Sequence, residues 1–262
     1  MSYLKVTLVQ ANLTWEDPVA NRAHFDHLLA SAKGASNLVV LPEMFTTGFT
    51  MAGDKCAEPM DGPSVRWLRN KAAELKSDVA GSLIIREDGQ LYNRLVWATA
   101  GGRLYFYDKR HLFRMSGEHR VYGAGHTQVT VTIGAWRIRP FICYDLRFPI
   151  WTRNLENAYD VALFVANWPA ARAAHWKALL TARAIENQSY VIGVNRVGRD
   201  GNGHAYDGDT MALDPQGAVL FHARAKEVVH TVDLDGASQE IYRKSFPAWR
   251  DAEPWPSGES PQ

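Results

Sequence analysis

Two hydrophobic periods alternate along this chain: short apolar runs of strand length, and longer stretches in which apolar positions return every three or four residues. Residues 4–9 (LKVTLV) predict a first strand. Residues 18–33 follow with Val19, Phe25, Leu28 and Leu29 near a helical spacing. Asp17 is placed to cap that helix, Pro18 suits its first turn, and Gly34 ends it. Residues 37–41 (NLVVL) read as a buried strand, 63–75 as a second helix and 78–85 as another strand. Residues 93–98 and 103–107, joined at Gly101 and Gly102, predict a hairpin.

The second half repeats the alternation. Residues 128–133 and 135–143 predict a hairpin about Gly134. A helix is expected over 150–157, a continuous apolar strand over 161–166, a strong helix over 173–186 and a strand over 190–195. Residues 210–213, 218–221 and 227–232 are expected to close the fold as antiparallel strands, the first two joined by Pro215-Gln216-Gly217. Strands alternating with helices argue for an α/β fold, and the hairpins argue for mixed sheets. Length alone leaves one large or two small domains open. No Pro/Ser/Gly-rich stretch splits the chain, so residues 1–243 read as one domain. The tail, 244–262, carries Pro247, Pro254, Pro256 and Pro261 with Phe246, Trp249 and Trp255. It cannot be a long helix and reads as a frayed end or as an oligomerisation arm laid on another surface.

Composition narrows the classes. A hydrophobic fraction of 46% and a charged fraction of 22% are globular, which excludes disorder, collagen-like repeats and coiled coil. Lys and Arg number 29 against 28 Asp and Glu, a net charge of +1 that gives no overall electrostatic footprint for nucleic acid. A local basic patch stays open. The two cysteines, Cys56 and Cys143, make no disulfide framework, and neither they nor the nine histidines show metal-ligand spacing. No signal-peptide pattern opens the chain and no apolar run is long enough to cross a membrane. The expectation is a reduced, cytoplasmic protein without a membrane partner.

Three apolar strands end on ionisable residues: residues 38–42 deliver Glu43, residues 104–108 deliver Lys109, and residues 138–142 deliver Cys143. Ligands of α/β sheets collect beyond the carboxyl ends of strands, so these three side chains can meet in one pocket. The chemistry is coherent. Cysteine attacks as thiolate, a carboxylate can take its proton, and an ammonium can stabilise the negative charge that forms. No histidine shares the strand-end pattern, so the base would be Glu43. Spacing alone also allows three unrelated residues: a small buried thiol, a loop carboxylate and a solvated lysine. Phe45, Phe49, Trp168 and Trp176 are read as pocket walls or as core. Residues 198–203 (GRDGNG) read as a turn, Cys56 as a loop residue and Glu186 as a structural brace.

Leu41-Pro42-Glu43, residues 107–113 (YDKRHLF) and residues 143–149 (CYDLRFP) resemble, in order and separation, the three catalytic motifs of the nitrilase superfamily of carbon–nitrogen hydrolases. The likeness continues through Tyr92-Asn93, Asn167-Trp168-Pro169, residues 182–187 (ARAIEN) and residues 195–198 (NRVG), covering residues 4–243. Residues 109–115 (KRHLFRM), 143–155 (CYDLRFPIWTRNL) and 165–169 (VANWP) are most similar to the bacterial omega-amidase, or 2-oxoglutaramate amidase, branch.

That resemblance implies a four-layer α-β-β-α sandwich with mixed sheets, pairing into homodimers or higher homo-oligomers. It implies a Glu43–Lys109–Cys143 triad that cleaves a small omega-amide of a 2-oxo dicarboxylic acid through a thioester, releasing acid and ammonia without metal or organic cofactor. Lys109 and the backbone N–H of Tyr144 would hold the oxyanion. Glu118 matches a second glutamate that contacts the substrate amide or positions Lys109; on the residues alone it is a surface-loop glutamate. Arg147 is the candidate for a substrate carboxylate, with a salt bridge to Asp145 or a helix end as the alternative; Arg114 is a second candidate. Trp168 is taken as a pocket wall. The same triad would also serve a nitrilase or an N-carbamoyl amine hydrolase. A catalytically silent, nitrilase-like binding protein is the rival from another class.

Overall fold

The computed structural model describes residues 3–30 and 32–253. Its strands are β1 (Tyr3–Gln10), β2 (Leu38–Val40), β3 (Asp78–Glu87), β4 (Gln90–Ala98), β5 (Leu104–Asp108), β6 (Val131–Ile133), β7 (Trp136–Ile142), β8 (Val161–Val165), β9 (Tyr190–Val194), β10 (Val197–Arg199), β11 (Ala205–Leu213), β12 (Val219–Arg224) and β13 (Val228–Asp235). The helices are α1 (Pro18–Leu28), α2 (Gly53–Cys56), α3 (Pro63–Leu75), α4 (Glu118–Val121), α5 (Pro149–Thr152), α6 (Ala173–Asn187) and α7 (Gly236–Ser245).

The strands form two mixed sheets. The first runs β13-β1-β2-β3-β4-β5, and the second runs β10-β11-β9-β8-β7-β6 with β12 on β11. The sequence of β2 shows why helices cover the outside. Leu38 and Val40 enter the core between the sheets, whereas Val39 and Leu41 enter a second core shared with Phe25, Leu68 and Leu75 of the outer helices. Side chains alternate across a strand, so a run apolar at every position must be covered on both faces. On the far side Trp176, Leu180 and Ala184 of α6 pack onto the second sheet. The result is the expected α-β-β-α sandwich.

α3 forms where its period places it, with Pro63 in the first turn and Val65, Leu68, Ala72 and Leu75 buried on one face. α1 begins as expected, with the Asp17 carboxylate accepting from the Ala20 N–H at 2.9 Å, but stops at Leu28 because Leu29 turns into the core. The expected helix over 150–157 breaks into α5 and a single 3₁₀ turn. Asn154 donates to the Tyr159 carbonyl at 2.9 Å and accepts from its N–H at 3.1 Å, and Glu156 and Asn157 adopt positive φ. A side chain that bonds its own local backbone competes with the helix.

The end of the chain departs furthest from expectation. β13 does not join β11 and β12; it crosses to the first sheet and pairs antiparallel with β1. α7 follows, capped by Asp235, and runs across the expected boundary at 243/244. Phe246 and Trp249 bond Gln188 of the same chain, so this part of the tail lies on its own subunit. Pro254, Trp255, Pro256 and Pro261 lie outside the described residues. Among the described residues, no helix is long and apolar enough to cross a membrane.

Candidate active site

Both sheets contribute to one buried cluster. Pro42 has no N–H to continue the β2 ladder, and the chain turns there and buries Glu43. Lys109 extends β5 by one rung, its N–H on the Asn93 carbonyl at 3.0 Å. Its ammonium lies 2.8 Å from Glu43 Oε1 and 3.0 Å from Glu118 Oε1. Asn93 reaches from β4 to the same two oxygens, at 2.8 and 3.3 Å, and is itself fixed by the Ser82 hydroxyl at 2.8 Å. The second sheet closes the cluster from the end of β8. The Asn167 N–H donates to Glu43 Oε2 at 2.7 Å, and its side-chain amide donates to the Glu43 carbonyl.

Cys143 stands just past the end of β7 with φ of +43°. A non-glycine residue there is strained and is kept there only when its surroundings over-determine it. Asp145 supplies that constraint. Its Oδ2 accepts from the Ile142 N–H at 3.1 Å and the Tyr107 hydroxyl at 2.7 Å; its Oδ1 accepts from the His111 N–H at 2.9 Å and lies 2.8 Å from His111 Nδ1. One buried carboxylate thus ties the cysteine turn to the strand and loop that flank Lys109.

Burial pushes the Cys143 thiol well above its usual range, and the charge of Glu43 pushes it further; Lys109 opposes them. Burial works against the Lys109 ammonium, but Glu118 and Glu43 outweigh it and raise its pKa. Glu118 is pushed up by burial, with Lys109 pulling the other way. The resting cluster therefore holds a neutral thiol and a firmly protonated lysine, with a Glu118 carboxyl that is reluctant to ionise.

Glu43, Lys109, Cys143 and Asn167 share a pocket with Phe49, Phe113, Tyr144, Arg147, Trp168, Pro169 and Arg172. Of the residues singled out in the sequence, Tyr144, Arg147, Trp168 and Phe49 line it. Glu118 is not a surface glutamate: it is fully buried, bonded to Lys109, and outside the pocket lining. Arg147 does not pair with Asp145, whose oxygens are taken; it meets His175 Nδ1 at 3.0 Å and its guanidinium lies 4.8 Å from the Trp168 ring centre. Arg114 lines a separate hollow with Arg110 and His111. Phe45 and Trp176 are core. Cys56 belongs to α2, and Glu186 bonds Arg183 at 3.0 Å, the brace expected of it. Sequence reading assigned no function to Asn93, Asn167 or Arg172. The first two carry a signal: an amide in or directly after an apolar strand must find partners.

The sequence profile described as carbon–nitrogen hydrolase matches residues 5–243. The chain is 49% identical over 254 residues to omega-amidase YafV of Escherichia coli K12, covering 97% of this chain and 98% of that protein. It is 32% identical over 251 residues to 2-oxoglutaramate amidase of Bacillus subtilis, covering 94% and 96%. Among solved structures, a CN-hydrolase superfamily protein from Xanthomonas campestris with an arsenic adduct in its active site superposes at a TM-score of 0.96. That pair shares 46% identity over 98% of this chain and 100% of the other.

Proposed function

The chain belongs to the carbon–nitrogen hydrolase family, and from that premise we propose that it hydrolyses the omega-amide of a small 2-oxo dicarboxylic acid, such as 2-oxoglutaramate or 2-oxosuccinamate, to the acid and ammonia. The observation that carries this reading is the buried Lys109 held between Glu43 and Glu118 at the floor of the Cys143 pocket.

The chemistry follows from the charges. A thiol held neutral by burial must give up its proton as it attacks, and Glu43 is the base beside it. Cys143 Sγ adds to the amide carbonyl while its proton passes to Glu43. Lys109 and the Tyr144 N–H stabilise the oxyanion. The adduct collapses to a thioester as Glu43 returns the proton to the departing nitrogen, so that ammonia leaves rather than an amide anion. Glu43 then takes a proton from water. The hydroxide adds to the thioester, and the thiol is restored with release of the carboxylic acid. Glu118 positions Lys109 from behind. Arg147, at the pocket wall on Trp168, holds the distal carboxylate. No metal or organic cofactor enters this sequence. We read the working form as a cytoplasmic homodimer, supported by the exposed apolar side chains of Ile150 and Ile185; light scattering on the purified protein tests the dimer.

The test is ammonia release from 2-oxoglutaramate, a nitrile and an N-carbamoyl amine by the wild type and by Cys143→Ala. Turnover of the omega-amide, lost in a variant that melts like the wild type, is the expected result. Turnover of nitriles or carbamoyl amines alone overturns the substrate class. No turnover together with a thiol inert to alkylation points to a silent binding protein.

A further inference from the structure

Two guanidiniums line the Cys143 pocket, and Glu43, already engaged with Lys109, is the only carboxylate among its lining residues. Arg147 and Arg172 have no ion-pair partner among the described residues. Each is held instead by an aromatic face: Arg147 at 4.8 Å from the Trp168 ring centre, Arg172 at 5.4 Å from that of Phe113. One residue links them. The Trp168 indole N–H donates to the Arg172 carbonyl at 2.9 Å, so the ring beneath Arg147 also fixes the backbone of Arg172. Cations positioned in this way, without acids to neutralise them, are arranged for an anionic ligand.

We propose that Arg172 determines substrate charge: together with Arg147 it grips the carboxylate at the end of the substrate remote from the amide and turns away substrates that carry an ammonium there. This rests on the amidase reading above and adds to it a residue and a discrimination. A 2-oxo acid presents a carboxylate and a carbonyl oxygen, both acceptors for guanidinium N–H groups. The corresponding amino acid presents an ammonium at the same carbon, a like charge set beside two cations. The pocket therefore takes 2-oxoglutaramate and rejects glutamine.

The experiment compares wild type, Arg172→Met, Arg172→Gln and Arg172→Lys on 2-oxoglutaramate, glutamine and uncharged butyramide, and measures binding of 2-oxovalerate by calorimetry. A hydrogen bond to a charged group is worth about 10- to 100-fold in binding. Arg172→Met and Arg172→Gln should raise KM for 2-oxoglutaramate by about that factor, with kcat within about threefold, and weaken 2-oxovalerate binding in step. Butyramide turnover should fall less than 2-oxoglutaramate turnover, the preference over glutamine should narrow, and Arg172→Lys should retain part of the selectivity. Unchanged 2-oxoglutaramate KM in Arg172→Met, where the side chain still packs on Phe113, overturns the proposal. So do equal losses on all three amides, or a wild type that does not bind 2-oxovalerate. A wild type that binds 2-oxovalerate in an Arg172-dependent way but leaves 2-oxoglutaramate intact sinks the amidase reading and leaves the anion site standing.

Discussion

Two ion clusters, the first fully buried and the second open to solvent at Arg137, sit at opposite ends of β7 with inverted composition. Past its end, one ammonium, Lys109, meets two carboxylates, Glu43 and Glu118. Near its start, one carboxylate, Asp160, meets two guanidiniums. Arg137 reaches it in a fork at 3.0 and 2.8 Å, and Arg243 reaches it at 2.8 Å. Arg243 also donates to the carbonyls of Gln188 and Tyr159, so its cluster fastens α7 to the second sheet. Guanidinium does not give up its proton in proteins, and this cluster can only hold things together. The Lys109 cluster has a carboxylate to spare, next to a thiol with a proton to lose. The sign of the surplus charge separates a rivet from a proton acceptor.

The sharpest way to break that contrast is to neutralise one acid in each cluster. Glu43→Gln should lower kcat about 100- to 10,000-fold, and because Lys109 keeps its second carboxylate, Glu118, its cost in stability should be smaller than that of Asp160→Ala. Asp160→Ala strands the Arg243 guanidinium, while Arg137 can turn to solvent, and should cost about 3 kcal/mol of stability; the protein that remains folded should turn over within a few-fold of wild type. Urea titration and ammonia assays on both variants check it; matching lesions would erase the distinction. Asp145→Asn comes next. An amide cannot accept all the bonds that Asp145 accepts, so a loss of about 1–3 kcal/mol is expected, with a fall in kcat as the cysteine turn and Lys109 lose their common anchor.

A smaller effect follows from the raised thiol. The folded chain keeps the Cys143 proton above pH 9.0, the ordinary thiol value, where the unfolded chain releases it. The unfolded state then binds fewer protons, so the stability that Cys143 contributes is intact below that pH and declines above it, by at most about 1.4 kcal/mol per pH unit. Cys143→Ala should decline less steeply than the wild type in urea titrations from about pH 8 to about pH 10, with Cys56 and the buried tyrosines, which burial also pushes up, supplying what remains. Smallest of all, Lys5→Ala should cost less than about 1 kcal/mol in the same titration, because its bridge to Asp233 is half in solvent.

The site was legible where chemistry and strand period coincide. Glu43, Lys109 and Cys143 each follow an apolar run, and the sheets bring those run ends together. Arg172 was not legible: it follows Pro169-Ala170-Ala171, where no period fixes a direction, and only the fold places it beside Trp168. α7 escaped for a different reason. Its buried positions are Gly236, Gln239 and Arg243, so it shows no apolar stripe. The partner of β13 was hidden because strand pairing across the whole chain leaves no local trace, and Asn154 broke a helix through bonds to Tyr159 that spacing does not reveal.

The pairing of β1 with β13, from Tyr3 opposite Asp235 to Gln10 opposite Val228, also sets a timetable. On the ribosome β1 emerges ahead of the other described strands and gains β2 within moments, but its other edge must wait while the entire second sheet is made. At ordinary elongation speeds that wait is roughly ten to forty seconds. A nascent chain meanwhile exposes an unpaired strand edge, the feature most prone to wrong partners and most in need of a chaperone. Among the described strands, the latest made, β13, is the latch for the earliest, β1.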